Sequence, residues 1–208
     1  VEQSATHAVV ERESVPGLGV SMRRNIQIDP EGIGFSIVES AERIAANPFP
    51  ITLWTVTQLP VPEGLWLESM PVLEGRRYTL LGNRRYLNEA SIVAHEGTVA
   101  IDFSTVIPGL KIGTFGRQLF AQYDAGLMVI TGPYVDGGSY PEGASIETYV
   151  GEDFVELETF STSTHLQPGE TLELVTRWRF APGEFSSPDA AGLLAPYESD
   201  GGQTYRDF

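Results

Sequence analysis

Between Gly151 and Phe180, in GEDFVELETFSTSTHLQPGETLELVTRWRF, apolar and polar positions alternate with a period of two. Successive side chains of a β-strand point to opposite faces, so this period predicts strands. Phe154, Glu156, Glu158 and Phe160 then share one face, and Val155, Leu157 and Thr159 the other. In the second half Leu172, Leu174, Thr176, Trp178 and Phe180 form an apolar face opposite Glu173, Val175, Arg177 and Arg179. Two carboxylates flanked by two phenylalanine rings suit either a wet face that happens to carry rings or the floor of a binding groove.

The same pattern predicts strands over His7–Arg12, Gly19–Ile28, Gly34–Ala41, Pro50–Leu59, Leu65–Glu68 and Arg77–Leu81. It continues at Thr98–Phe103, Lys111–Phe115, Leu119–Tyr123, Leu127–Tyr134, Ala144–Val150, Asp153–Phe160 and Thr171–Phe180. Turn residues separate them, as in DPEG at Asp29–Gly32, VPEG at Val61–Gly64, YDAG at Tyr123–Gly126 and QPGE at Gln167–Glu170. The nearest approach to a helix is Tyr86–Gly97, with at most a turn or two. Many short strands at this spacing predict an all-β antiparallel sandwich or barrel. Residues 1–180 read as one domain. From Ala181 the composition turns to Pro, Gly, Ser and Asp, as in an extended or partly disordered tail over 181–208. Centring a hairpin on Pro168 and Gly169 sets Glu158 opposite Arg179 and Phe160 opposite Arg177, so that Glu156, Glu158, Arg177 and Arg179 share a polar face. A bulge within Ser161–Thr164 would undo that pairing.

Composition narrows the partners. A hydrophobic fraction of 41% with 10% aromatics is enough for a core. The formal net charge of −15 disfavours nucleic acid and anionic membranes, both of which need clustered cations. No run approaches the ~20 apolar residues of a membrane helix. Without cysteine there is no disulfide, thiolate chemistry or cysteine-ligated metal, and the compartment stays open. Lys111 is the sole lysine, which reads as compositional bias before function. The three histidines, His7, His95 and His165, have no metal-ligand spacing, so neither a metal nor another cofactor is expected. The glycines of KIGTFGR (Lys111–Arg117) lack the pattern and helix of a phosphate loop. Paired arginines at Arg23–Arg24, Arg76–Arg77 and Arg84–Arg85 suit either an acidic sugar or the neutralisation of nearby glutamates.

VELETFSTSTHLQPGETLELVTRWRF, together with YPEGASIETYV and GIGFSIVESAERIAANPFPITLWTVTQLPVP, resembles the galactose mutarotase-like class, which includes the aldose 1-epimerases. The resemblance covers Gly17–Phe180 and implies an antiparallel supersandwich with a concave, sugar-binding sheet face. Members are usually longer at the N-terminus, so it also implies a chain, beginning at Val1, that starts partway into the domain. In the epimerases a glutamate in a Leu-Glu-Thr segment removes the proton of the anomeric hydroxyl; that residue maps onto Glu158. The segment in which they carry a catalytic histidine aligns with ITLWTVTQLP, which offers Trp54, Thr57 and Gln58 and no histidine. His95, beside Glu96, could supply the acid, although a surface histidine is the simpler reading.

The resulting site places Glu158 as base, with Trp54, Gln58, Glu156, Arg177 and Arg179 binding substrate. Trp54, Trp66, Tyr123, Tyr140 and Tyr149 could stack on sugar rings or serve the core; Trp178 belongs to the core. Burial and repulsion between Glu156 and Glu158 would raise a carboxyl pKa toward neutrality. Two functions follow. One is a carbohydrate-interacting domain, epimerase-like if catalytic. The other is a non-catalytic binding or structural β-domain, its face filled by the tail, a missing N-terminal segment or a partner chain such as a second copy. The sugar reading requires the Glu158 carboxyl to open into a hollow.

Overall fold

The computed structural model describes residues 2–15, 17–30, 32–70, 77–82, 91–95 and 97–185. They form two antiparallel sheets. Across the larger one lie β1 (Glu2–Gln3), β2 (His7–Val15), β3 (Val20–Ile28), β4 (Gly34–Arg43) and β15 (Thr171–Ala181). It continues through β12 (Gly126–Thr131), β11 (Gln118–Tyr123), β6 (Gly64–Glu68), β9 (Thr98–Ile101) and β8 (Ile92–His95). The smaller sheet runs β5 (Trp54–Pro60), β14 (Phe154–Phe160), β13 (Ile146–Val150), β10 (Leu110–Thr114) and β7 (Thr79–Leu81). This is an all-β antiparallel two-sheet sandwich, the fold class the alternation and the resemblance both imply.

Each strand turns one side of its alternation inward. Leu65, Leu67, Leu119, Ile130 and Trp178 from the larger sheet meet Leu110, Ile112, Ile146, Val155 and Leu157 from the smaller, and all are buried. Removing a large aliphatic side chain from water contributes roughly 1.5–3 kcal/mol, so these inward rows hold the sheets face to face. Trp178 is core, as expected, and stacks on Phe35 with centroids 5.2 Å apart.

The expected β14–β15 hairpin is not formed. β14 pairs with β5 and β13, whereas β15 pairs with β4 and β12 in the other sheet. The tight Gln167–Glu170 turn exists, with Gly169 at φ 91° and a 2.9 Å bond from Glu170 N to Gln167 O, but it belongs to a crossover. Gly169 N bonds Arg43 O, and Thr164 bridges to Ile51. Both strands carry an apolar face, and facing each other across the interior buries both at once. Arg177 and Arg179 alternate with inward Thr176 and Trp178, so they lie on the outer face of the larger sheet. Sheets in a sandwich are about 10 Å apart, and this removes both arginines from the face of Glu158.

The helix considered at Tyr86–Gly97 is replaced at its end by β8, an edge strand whose Ile92 is buried and Val93 exposed; residues 83–90 lie outside the described ones. Of the tail, only its first residues are described. Gln122 Nε2 donates to Gly183 O at 3.1 Å, Phe185 N donates to Gln122 Oε1 at 3.2 Å, and Phe185 packs near Trp66, Phe120 and Leu127. Residues 186–208 lie outside the described ones.

Candidate functional site on the outer face of the smaller sheet

Antiparallel register brings directly paired residues onto one face. On the outer side of the smaller sheet one row reads Val56, Glu158, Glu147, Gly113, Thr79 across the five strands. The next reads Gln58, Glu156, Tyr149, Lys111, Leu81. Trp54 pairs with Phe160 at one end and Pro60 with Phe154 at the other. The face sharing of Phe154, Glu156, Glu158 and Phe160 is therefore as the alternation predicts.

At the centre two carboxyls stand opposite each other, Glu158 on β14 and Glu147 on β13. Like charges so placed destabilise a sheet. Lys111 answers them from the adjoining row: its Nζ is 2.7 Å from Glu147 Oε2, 3.4 Å from Glu158 Oε2 and 3.5 Å from Glu142 Oε2. Glu142 comes from a 3-10 turn, Pro141–Gly143, where it adopts the left-handed φ of 54°. Gly113 leaves the space Glu147 uses, because a Cβ there would lie 2.4 Å from Ala144 Cβ and 3.1 Å from Glu147 Cγ.

Trp54 leans over this cluster from the edge strand β5. Its Nε1 donates to Glu158 Oε2 at 2.8 Å, its ring lies parallel to Phe160 (5.9 Å, 6°), and Lys111 Nζ is 5.9 Å from its centroid. Despite these contacts the residue is 53% exposed. A core tryptophan is thus excluded. Glu158 and Glu147 are 1% and 0% exposed. The hollow expected at Glu158 is closed: its carboxyl lies beneath Trp54 and Lys111, so a sugar held directly by Glu158 is ruled out in this arrangement, and the accessible surface is the exposed indole of Trp54 above it.

Burial is the main force on both carboxyls. It pushes Glu147 up to about 7, against the opposing Lys111 ammonium and with help from Glu158 and Glu142. Burial likewise raises Glu158, opposed by Lys111 and the Trp54 N–H and assisted by Glu156. Desolvation works against the Lys111 charge, but Glu147, Glu158 and Glu142 outweigh it and hold the ammonium above its ordinary range. Glu147 Oε1 is fully buried and has no hydrogen-bond donor among the described residues. A protonated and an ionised carboxyl side by side can exchange protons with each other or with a ligand.

Of the residues singled out by sequence, Glu158, Glu156, Trp54 and Gln58 come together here, with Gln58 exposed beside Glu156. Arg177 and Arg179 do not, being in the other sheet. His95 is also on the larger sheet, at its edge, and so is not the acid beside Glu158. Trp66 lies on the larger sheet, packed with Phe120 and Leu127. Arg23 pairs with Glu11 and Arg24 with buried Glu39, the neutralising role considered for the arginine pairs. Arg76, Arg84 and Arg85 lie outside the described residues. Sequence reasoning missed Lys111, Glu147 and Glu142. Two signals were present: IETYV alternates like VELETF, placing Glu147 and Tyr149 on one face, and KIGT places the sole lysine on the same side as Gly113.

No family model and no curated protein sequence matches the chain. Solved structures do. One, from Escherichia coli K12, is a candidate aldose 1-epimerase: TM-score 0.61, 14% identity, 88% of this chain and 68% of that one covered. Another, a galactose mutarotase related enzyme from Lactobacillus acidophilus, gives TM-score 0.50 and 8% identity over 86% of this chain and 69% of that one. At these identities the likeness is one of fold.

Proposed function

We propose that the chain is a carbohydrate-binding domain whose sugar lies across the outer face of the smaller sheet, against Trp54. The observation that carries the reading is an exposed indole that is nevertheless held in place. Its N–H is fixed by buried Glu158, and Phe160 backs it in parallel. A rigid apolar surface with polar groups at its rim suits a pyranose, which presents C–H groups on one side and hydroxyls at its edge. Gln58, Glu156, Tyr149 and Lys111 form that rim in the adjoining row. The fold shared with an epimerase-like protein supports a sugar as ligand class.

Glycan-array binding tests this. Trp54→Ala should lose at least about tenfold in retention, since burying an aromatic face against a ligand is worth more than 1 kcal/mol. The variant should keep its fold, because Trp54 is half exposed. Undiminished binding by Trp54→Ala overturns the reading.

A second reading, proton transfer at an anomeric centre with Glu158 as base, is favoured by one observation: two adjacent buried carboxyls, both raised. Catalysis would require Trp54 and Lys111 to move aside. Optical rotation of freshly dissolved α-galactose or α-glucose decides it. Acceleration over buffer that Glu158→Gln abolishes would establish the epimerase reading; equal rates with and without folded protein would remove it.

A further inference from the structure

We infer that the ligand of this face is a cationic, amine-bearing sugar in preference to a neutral or anionic one, an inference that rests on the carbohydrate reading above. Among the described residues the cluster around Trp54 is short of positive charge. All three ion contacts of Lys111 are to glutamates, Glu142, Glu147 and Glu158, and Glu156 adds a fourth carboxyl from the same row as Lys111. Lys111 is the only lysine of the chain. The arginines that sequence reasoning set beside Glu158 are on the opposite side of the sandwich. Four carboxyls thus share one ammonium among the described residues.

A second, independent observation points the same way. Glu147 Oε1, in a residue with no exposed surface, has no donor among the described residues. A buried acceptor left unsatisfied is costly, and it marks the direction in which the cluster lacks a donor or a cation. Trp54 adds an attraction of its own, because an aromatic face draws a cation electrostatically, as it does Lys111 at 5.9 Å. Half-exposed Glu142 and Glu156 are the carboxylates a ligand ammonium could reach first. A uronate or sugar phosphate would instead bring a further anion to a site that already repels it.

The test compares three disaccharides by calorimetry at low ionic strength: the β-1,4-linked disaccharide of glucosamine, its N,N′-diacetyl counterpart and a diuronate. The free amine should bind about fivefold or more tighter than the diacetyl form, with the diuronate weakest, a difference expected for one partly exposed charge contact. In a Glu142→Gln/Glu156→Gln variant that ratio should fall toward one. Equal affinity of the amine and diacetyl forms, or tighter binding of the diuronate, overturns the charge preference and leaves the carbohydrate reading standing. A preference that persists in the double variant also overturns it, because attraction would then come from the net negative charge of the whole molecule. Failure of all three sugars to bind removes both readings.

Discussion

Lys111 is the residue on which the site's electrostatics turn. It is the only described cation within contact of Glu147 and Glu158, and both carboxyls are already raised by burial. Lys111→Met should therefore destabilise the fold by about 2–4 kcal/mol, as for an uncompensated buried charge. The loss should be greater at pH 8, where both carboxyls tend to ionise, than at pH 5; urea unfolding at the two pH values measures it. Glu147 gives the sign of a second effect. Its folded pKa of about 7 lies above its ordinary 4.5, so between those values the folded state binds more protons than the unfolded one. Its stabilising contribution is complete below about pH 4.5, declines as pH rises, and is lost above about 7. Glu147→Gln should flatten that part of the stability profile, and an unchanged slope would show that other groups produce it.

The elements set these residues in place. Alternation along β13 and β14 makes each strand half core and half site, and direct pairing of Glu147 with Glu158 follows from their register. A one-residue slip would exchange the faces of a whole strand. β10 contributes Lys111 and, two residues on, the glycine that makes room for Glu147. Gly113→Ala should cost about 1–3 kcal/mol by overpacking against Ala144, read as a lower urea midpoint. The cost should fall in a Gly113→Ala/Glu147→Ala double variant if crowding of the Glu147 side chain is part of it. At the end of β4, Arg43 is 1% exposed and donates to Leu18 O at 2.6 Å and Phe49 O at 3.0 Å, joining three chain segments at the crossover. Arg43→Met would leave both carbonyls without that donor, and thermal unfolding should register it as a loss of about 2–4 kcal/mol.

At the scale of the molecule, a net charge of −15 acts against compactness through self-repulsion. Raising ionic strength from low to physiological should raise the thermal midpoint, and a midpoint independent of salt would mean that local pairs already balance the charge. The all-β class, most strand positions, the core role of Trp178 and the shared face of Glu156 and Glu158 were legible in the sequence. Each depends on a period-two pattern that one strand carries by itself. Strand partners were not legible. Alternation says which side chains share a face but not which strand lies alongside, and a tight turn at Pro168 and Gly169 is compatible with a hairpin or with a crossover between sheets. Burial of two apolar faces against each other decided for the crossover. That choice separated Arg177 and Arg179 from Glu158 and let β10 and β5, distant in sequence, deliver Lys111 and Trp54 beside Glu147 of the neighbouring strand β13. The chain's own order thus determined the strands and the side each residue takes, while the packing of sheet on sheet decided the neighbours of every charge, because electrostatic partners are set by distance in space.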